Sequence, residues 1–134
     1  MSTSIIKKQR EDLAATYNIL SKLKLNEGIC NHITALILGT EDKFLCIAYG
    51  LDWSEVTPEN LLLVDINGDI LEGEGICETT AFYIHRAIHL QNPINNVYVI
   101  HTHQPCATAL CCLKDSELKM CHQNSLRFYN DIAY

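Results

Sequence analysis

Basic residues are scarce in this chain. Ten Lys and Arg stand against sixteen Asp and Glu, a formal charge of −6 over 134 residues. Nucleic-acid binding needs clustered cations to neutralise phosphates, so that function class is excluded. The one basic cluster, Lys7–Lys8–Gln9–Arg10, is followed at once by Glu11 and Asp12 and reads as a solvated helix face. No apolar run approaches the ~20 residues needed to span a bilayer. No C-x-x-C pair is present, which removes the zinc-ribbon and dithiol-redox motifs. Repeats, low-complexity tracts and linkers are missing, and residues 1–10 lack the apolar stretch of a signal peptide. The expectation is one cytoplasmic domain over residues 1–134, with no membrane and no nucleic-acid partner.

What is present is globular: 48% of the residues are hydrophobic and 19% are charged. Seven cysteines, an odd number, suit free and mostly buried thiols in a reducing compartment. Leu13, Tyr17, Leu20 and Leu23 mark an amphipathic helix over Ile5 to Leu25, stopped near Gly28. The runs Ile33 to Leu38 and Phe44 to Ala48 flank a turn and predict an antiparallel pair. Leu61 to Ile66 is a third strand, and Asn67–Gly68 predicts a hairpin into residues 69–71.

Thr79 or Thr80 is suited to cap a helix running to about Leu90, with Phe82, Ile84, Ala87 and Ile88 inward. Val97 to Ile100 is a continuous apolar run, the form of a buried central strand. Pro105 then opens a helix through Leu113. Strands first and alternating helices later give an α/β class with a mixed or antiparallel sheet covered by helices. The ending Ile132–Ala133–Tyr134 reads as a strand just beginning, so the domain is expected to be incomplete at its C-terminus.

His101 and His103 carry the clearest chemistry. Residues two apart on a strand share a face, so two imidazoles are presented together at the strand end before a helix. Two neutral imidazoles suit zinc or another divalent ion, although a catalytic zinc takes three protein ligands plus water. On spacing alone, ordinary half-buried histidines remain the alternative.

Four separated stretches weigh on this choice: GICNHIT from Gly28, GLDWSEVTPENLLLVDINGDILEG from Gly50, AFYIHRAIHLQNPINNVYVIHTHQPCATA from Ala81, and HQNSLRFYNDIAY from His122. In this order they resemble the class II aldolase/adducin family, closer to its adducin-like branch than to the sugar-phosphate aldolases. The resemblance implies a three-layer α-β-α fold and a zinc-type ion held by three histidines, the first two matching His101 and His103. It also implies Lewis-acid lyase chemistry on a small hydroxy-carbonyl, sugar-like substrate. Substrate-binding positions carry over to Asn31, His32, Gly50, Thr79 and Thr80.

Three departures limit the transfer. The family's acid/base glutamate falls on Ala81, which moves no proton, and Glu78, three residues earlier, is a weak substitute better suited to capping. The third histidine ligand lies beyond the segment resembling His122 to Tyr134. Tyr49 stands before Gly50 where the sugar-phosphate aldolases carry small hydroxyl residues, which disfavours phosphate. His85 and His89, four apart on one helix, read as packing or surface residues, and Trp53 as a packing anchor. The resemblance therefore supports a metal-dependent aldehyde-lyase. Its alternative is a non-catalytic adducin-like head for self-association or actin/spectrin scaffolding, or an inactive fragment. An apolar sheet face left uncovered would make the protein a homo-oligomer.

Overall fold

The computed structural model describes residues 3–134. These fall into two compact units, one reaching to Thr102 and one spanning His103–Tyr134. The larger unit contains helix α1 (Thr3–Lys22), strands β1 (His32–Leu36), β2 (Lys43–Cys46), β3 (Leu62–Asp65) and β4 (Ile70–Glu72), helix α2 (Thr79–Gln91) and strand β5 (Tyr98–His101). The sheet order is β4-β3-β2-β1-β5 and every pairing is antiparallel. Of the two sheet types expected, mixed or antiparallel, the structure has the antiparallel one.

Strand alternation divides the core into two layers. Ile33, Ala35, Ile37, Leu45 and Leu63 face α1 and pack with Leu13, Ala14 and Tyr17. Leu36, Phe44, Cys46, Leu62 and Val64 face the other way and pack with Phe82 of α2. The larger unit is thus the α-β-α sandwich expected.

Helix α1 holds β1 at both ends. Near its start, Gln9 donates to Leu36 O at 2.9 Å and accepts from Leu38 N at 2.9 Å. Further along, the buried Tyr17 hydroxyl accepts from Ile33 N at 2.7 Å and donates to Ile33 O at 2.5 Å. Trp53 packs edge-on against Tyr17 with centroids 5.1 Å apart, and its indole N–H donates to Asn31 O at 2.9 Å. The chain entering β1, with Asn31 and His32, is therefore clamped from the α1 side.

Several expectations need correction. Strand β5 is an edge strand, not a central one, and Tyr98 and Ile100 are exposed. Its apolar run was compatible with burial on both faces, yet among the described residues it pairs with β1 alone. The buried face of α2 is Ala81, Phe82, His85 and His89, while Ile84, Ala87 and Ile88 are exposed. The cap of α2 is Glu78, whose longer carboxylate accepts from Thr80 N at 3.2 Å and Ala81 N at 2.5 Å; Thr79 and Thr80 are the first helical residues. Helix α1 ends three residues before Leu25, where Lys24 turns left-handed (φ 56°). Five of the seven cysteines are exposed, so the thiols are not mostly buried.

The smaller unit holds helix α3 (Pro105–Cys111), with proline in its first turn as expected, and a 3-10 turn at Ser125–Phe128. His122 closes a tight turn there: its Nδ1 accepts from Asn124 N at 3.2 Å and its carbonyl from Ser125 Oγ at 2.7 Å. Ile132–Ala133–Tyr134 does not form a strand; instead the Tyr134 hydroxyl accepts from Leu118 N at 2.9 Å. Among the described residues no helix is long and apolar enough to cross a membrane.

Candidate functional site

A cleft of about 260 Å³ opens on the α2 face of the larger unit, where the chain enters β1 and leaves β2. Asn31, His32, Gly50 and Glu78 all line it, together with Ala81 and Phe82. The structure thus gathers four of the expected site residues from three separate stretches of sequence. Thr79 and Thr80 are exposed on the first turn of α2 and are not among the lining residues. Gly50 sits in the turn after β2 with φ +95°, a conformation that a side chain strains.

Asn31 is 2% exposed. Its Oδ1 accepts from Glu27 N, and its carbonyl is taken by Trp53. Its Nδ2, by contrast, has no hydrogen-bond partner among the described residues. A buried amide donor without an acceptor is costly and marks a position that a ligand oxygen would satisfy.

Glu78 is engaged differently. The N–H groups of Ala81 and Thr80 hold its carboxyl below the usual carboxylate range, against a smaller opposing effect of burial. It is an ionised cap at neutral pH. Because that carboxylate already occupies the α2 N-terminus, a second anion there would meet like charge. Ala81, where the resemblance puts the acid/base glutamate, is buried in the cleft wall.

Behind the cleft lies a row of histidines. The register sets His32 opposite His101, and their rings stack 4.7 Å apart at 20°. On its other side His32 meets the His85 ring at 4.5 Å. The buried Thr34 hydroxyl lies 2.8 Å from His85 Nδ1 and 2.7 Å from His89 Nε2, while His89 Nδ1 lies 2.5 Å from Asn96 O.

The hydrogen positions in this chain follow from chemistry. A carbonyl only accepts, so His89 Nδ1 carries the proton and its Nε2 accepts from Thr34. The Thr34 hydroxyl hydrogen is then committed, so Thr34 must accept from His85 Nδ1–H. His85 is left with its lone pair on Nε2. Burial first, then the neighbouring His32, His89 and His101, push the His85 pKa down to about 3. His89 is lowered too, by burial, against a smaller opposing effect of Asn96 O. Both rings are neutral core groups, so of the two roles expected, packing or surface, they have the packing one.

His101 is exposed at the end of β5, and His103 is half-buried in the smaller unit just before α3. Among the described residues no group of three or more His, Cys, Asp or Glu is arranged to hold a metal ion. Two imidazoles fall short of the three protein ligands that a catalytic zinc takes.

Sequence reasoning missed Thr34 and the contact between Cys46 and Cys77, whose sulfurs lie 3.7 Å apart. The signal for Thr34 was its spacing: it lies two residues after His32, on the same strand face, opposite a helix with histidines four apart.

The family model of the class II aldolase and adducin N-terminal domain matches residues 11–134. The chain belongs to the class II aldolase and adducin family. Within that family it is 33% identical over 132 residues to an adducin-related protein of Schizosaccharomyces pombe, covering 91% of this chain and 40% of the relative. Its fold superposes on an aldolase II superfamily protein from Pseudomonas syringae with TM-score 0.85 and 32% identity, covering 96% of this chain and 51% of the other. An L-fuculose 1-phosphate aldolase from Glaciozyma antarctica gives TM-score 0.84 and 26% identity, covering 93% and 51%. The chain therefore spans about half the length of these family members, or less. Aldolases and adducin-related proteins both lie among them, so membership fixes the fold and leaves two functional branches.

Proposed function

We propose that the cleft binds a small, neutral hydroxy-carbonyl compound of the sugar type, and that the chain takes part in class II aldolase-type lyase chemistry on it. The Asn31 amide carries this reading. It is a buried donor with no acceptor among the described residues, on the wall of a cleft it shares with His32 and Gly50. A carbonyl or hydroxyl oxygen is the group that would satisfy it. Phosphate is disfavoured by the Glu78 carboxylate on the same wall and by Tyr49 beside Gly50. Thr79 and Thr80, exposed on the first turn of α2, lie outside this lining.

The cofactor in this reading is zinc or another divalent ion on His101 and His103, with a third donor supplied from outside those two. Such an ion would polarise the substrate carbonyl. The chain's own contribution is binding and orientation through Asn31. His32 is the imidazole on the cleft wall. The alternative is an adducin-like head that binds or self-associates without turnover, and Ala81 favours it, since the wall offers an alanine where a base is needed.

Elemental analysis of protein purified with zinc present, paired with a retro-aldol assay on short hydroxy-ketones, tests both branches. The lyase reading expects near-stoichiometric metal, and it expects His101→Ala to weaken metal affinity by more than about 100-fold with turnover lost. Metal-free protein without turnover, while ligand still binds, would assign the chain to the non-catalytic branch.

A further inference from the structure

We propose that Cys46 and Cys77 are a peroxide-reactive dithiol built into the cleft wall, closing reversibly to a disulfide. Their sulfurs lie 3.7 Å apart in hydrogen-bond contact, although 31 residues separate them in sequence. Both thiols line the cleft.

The pairing is positioned by backbone. The segment before α2 runs back along the end of β2: Tyr49 N donates to Ile76 O at 2.8 Å, and Gly75 sits against Ala48. A Cβ on Gly75 would lie 2.9 Å from the Ala48 Cβ, and its φ of +139° is one that side chains rarely adopt. Only glycine lets the two segments approach this closely, and the approach brings Cys77 onto Cys46. The other five cysteines are exposed.

The two thiols are not equivalent. Cys46 is buried on β2 and Cys77 is half-buried, at the cleft. The hydrogen bond from Cys46 favours the Cys77 thiolate and lowers its pKa, whereas the same bond and burial raise that of Cys46. Cys77 is accordingly the nucleophile and Cys46 the resolving thiol. In the first step the Cys77 thiolate attacks one oxygen of a hydroperoxide. The O–O bond breaks, the sulfur loses two electrons to become a sulfenic acid, and the other oxygen leaves as water or alcohol after taking a proton. In the second step the Cys46 sulfur attacks the Cys77 sulfur, the S–O bond breaks and water leaves with the Cys46 proton. Two thiols have then reduced one peroxide, and the sulfurs close to about 2.05 Å. The bond ties the segment that carries the Glu78 cap to β2 and removes both thiols from the cleft wall. In a reducing compartment a pair of this kind is a regulatory site rather than a structural one.

The test uses the full chain and reads covalent state, independently of any lyase activity. One molar equivalent of hydrogen peroxide should remove the mass of two hydrogen atoms. A glutamate-specific protease cutting at Glu55, Glu59, Glu72 and Glu74 should then release a cross-linked Cys46–Cys77 peptide, restored to two peptides by dithiothreitol. Because the second step is intramolecular, the Cys46–Cys77 disulfide should close at least about tenfold faster than any disulfide between two molecules. Cys77→Ser should abolish the mass loss, and Cys46→Ala should leave a sulfenic acid on Cys77 that dimedone traps. Oxidation that falls first on the exposed thiols, with Cys46 and Cys77 still open to alkylation, would overturn the assignment.

Discussion

Replacing Thr34 by valine should destabilise the larger unit by about 3 kcal/mol, although the two side chains have nearly the same shape. The threonine hydroxyl is 2.8 Å from His85 Nδ1 and 2.7 Å from His89 Nε2, and all three residues are buried. Valine would leave one imidazole N–H without an acceptor and one ring nitrogen without a donor. Each orphan costs roughly 1–3 kcal/mol in a dry setting. Thr34→Ser keeps the hydroxyl, loses one methyl group, and should cost only about 1 kcal/mol. Urea unfolding with an unchanged m-value distinguishes them. Equal losses for valine and serine would show that the hydroxyl bridge contributes nothing.

The same cluster should make the fold sensitive to mild acid. The folded-state pKa of His85, at about 3, lies below the ordinary histidine value of 6.5. Above pH 6.5 the ring is neutral in both the folded and unfolded states, and its contribution to stability is flat. As pH falls from 6.5 towards 3 the unfolded chain takes up a proton that the folded chain refuses, so stability is lost through that window. For one such group the loss between pH 7 and pH 5 is about 2 kcal/mol, and His89, shifted in the same direction, adds to it. The depressed carboxyls of Glu78 and Asp52 lose their contribution only lower, below their ordinary values of 4.5 and 3.8. Urea midpoints between pH 7 and pH 5 therefore isolate the histidines. His85→Gln should flatten the slope by about one proton, and an unchanged slope would contradict the buried, neutral ring.

The fold was readable where local chemistry and global packing agree. Asn67–Gly68 marked the β3–β4 hairpin, and the alternation in Ile33 to Leu38 marked a strand with two different faces. The four family stretches carried the architecture. Strand β5 was misjudged because Val97 to Ile100 is apolar at every position, which hides that Tyr98 and Ile100 face one side and Val99 and His101 the other. The inner face of α2 was misjudged because a histidine counts as polar in any periodicity. Thr34 and Asn96 O partner His85 Nδ1 and both nitrogens of His89, which makes the burial of these rings tolerable.

Part of the cleft lining lies in those stretches. Asn31, His32 and Gly50 line it and Glu78 joins them, whereas Thr79 and Thr80 do not. The cysteine pair was not legible, since nothing local links residues 46 and 77; the link is a backbone approach that Gly75 permits. The ligand set of a metal was not legible either, because His-x-His spacing specifies two donors and is silent about the third.

Backbone amide and side-chain amide NMR of the chain titrated with a neutral short-chain hydroxy-ketone, with and without zinc, tests the cleft most directly. Binding through the Asn31 amide predicts saturable shifts of its Nδ2 protons together with amides across residues 29–34, 46–51 and 77–82. Shifts that leave Asn31 untouched at millimolar ligand, or that gather elsewhere on the surface, would contradict it.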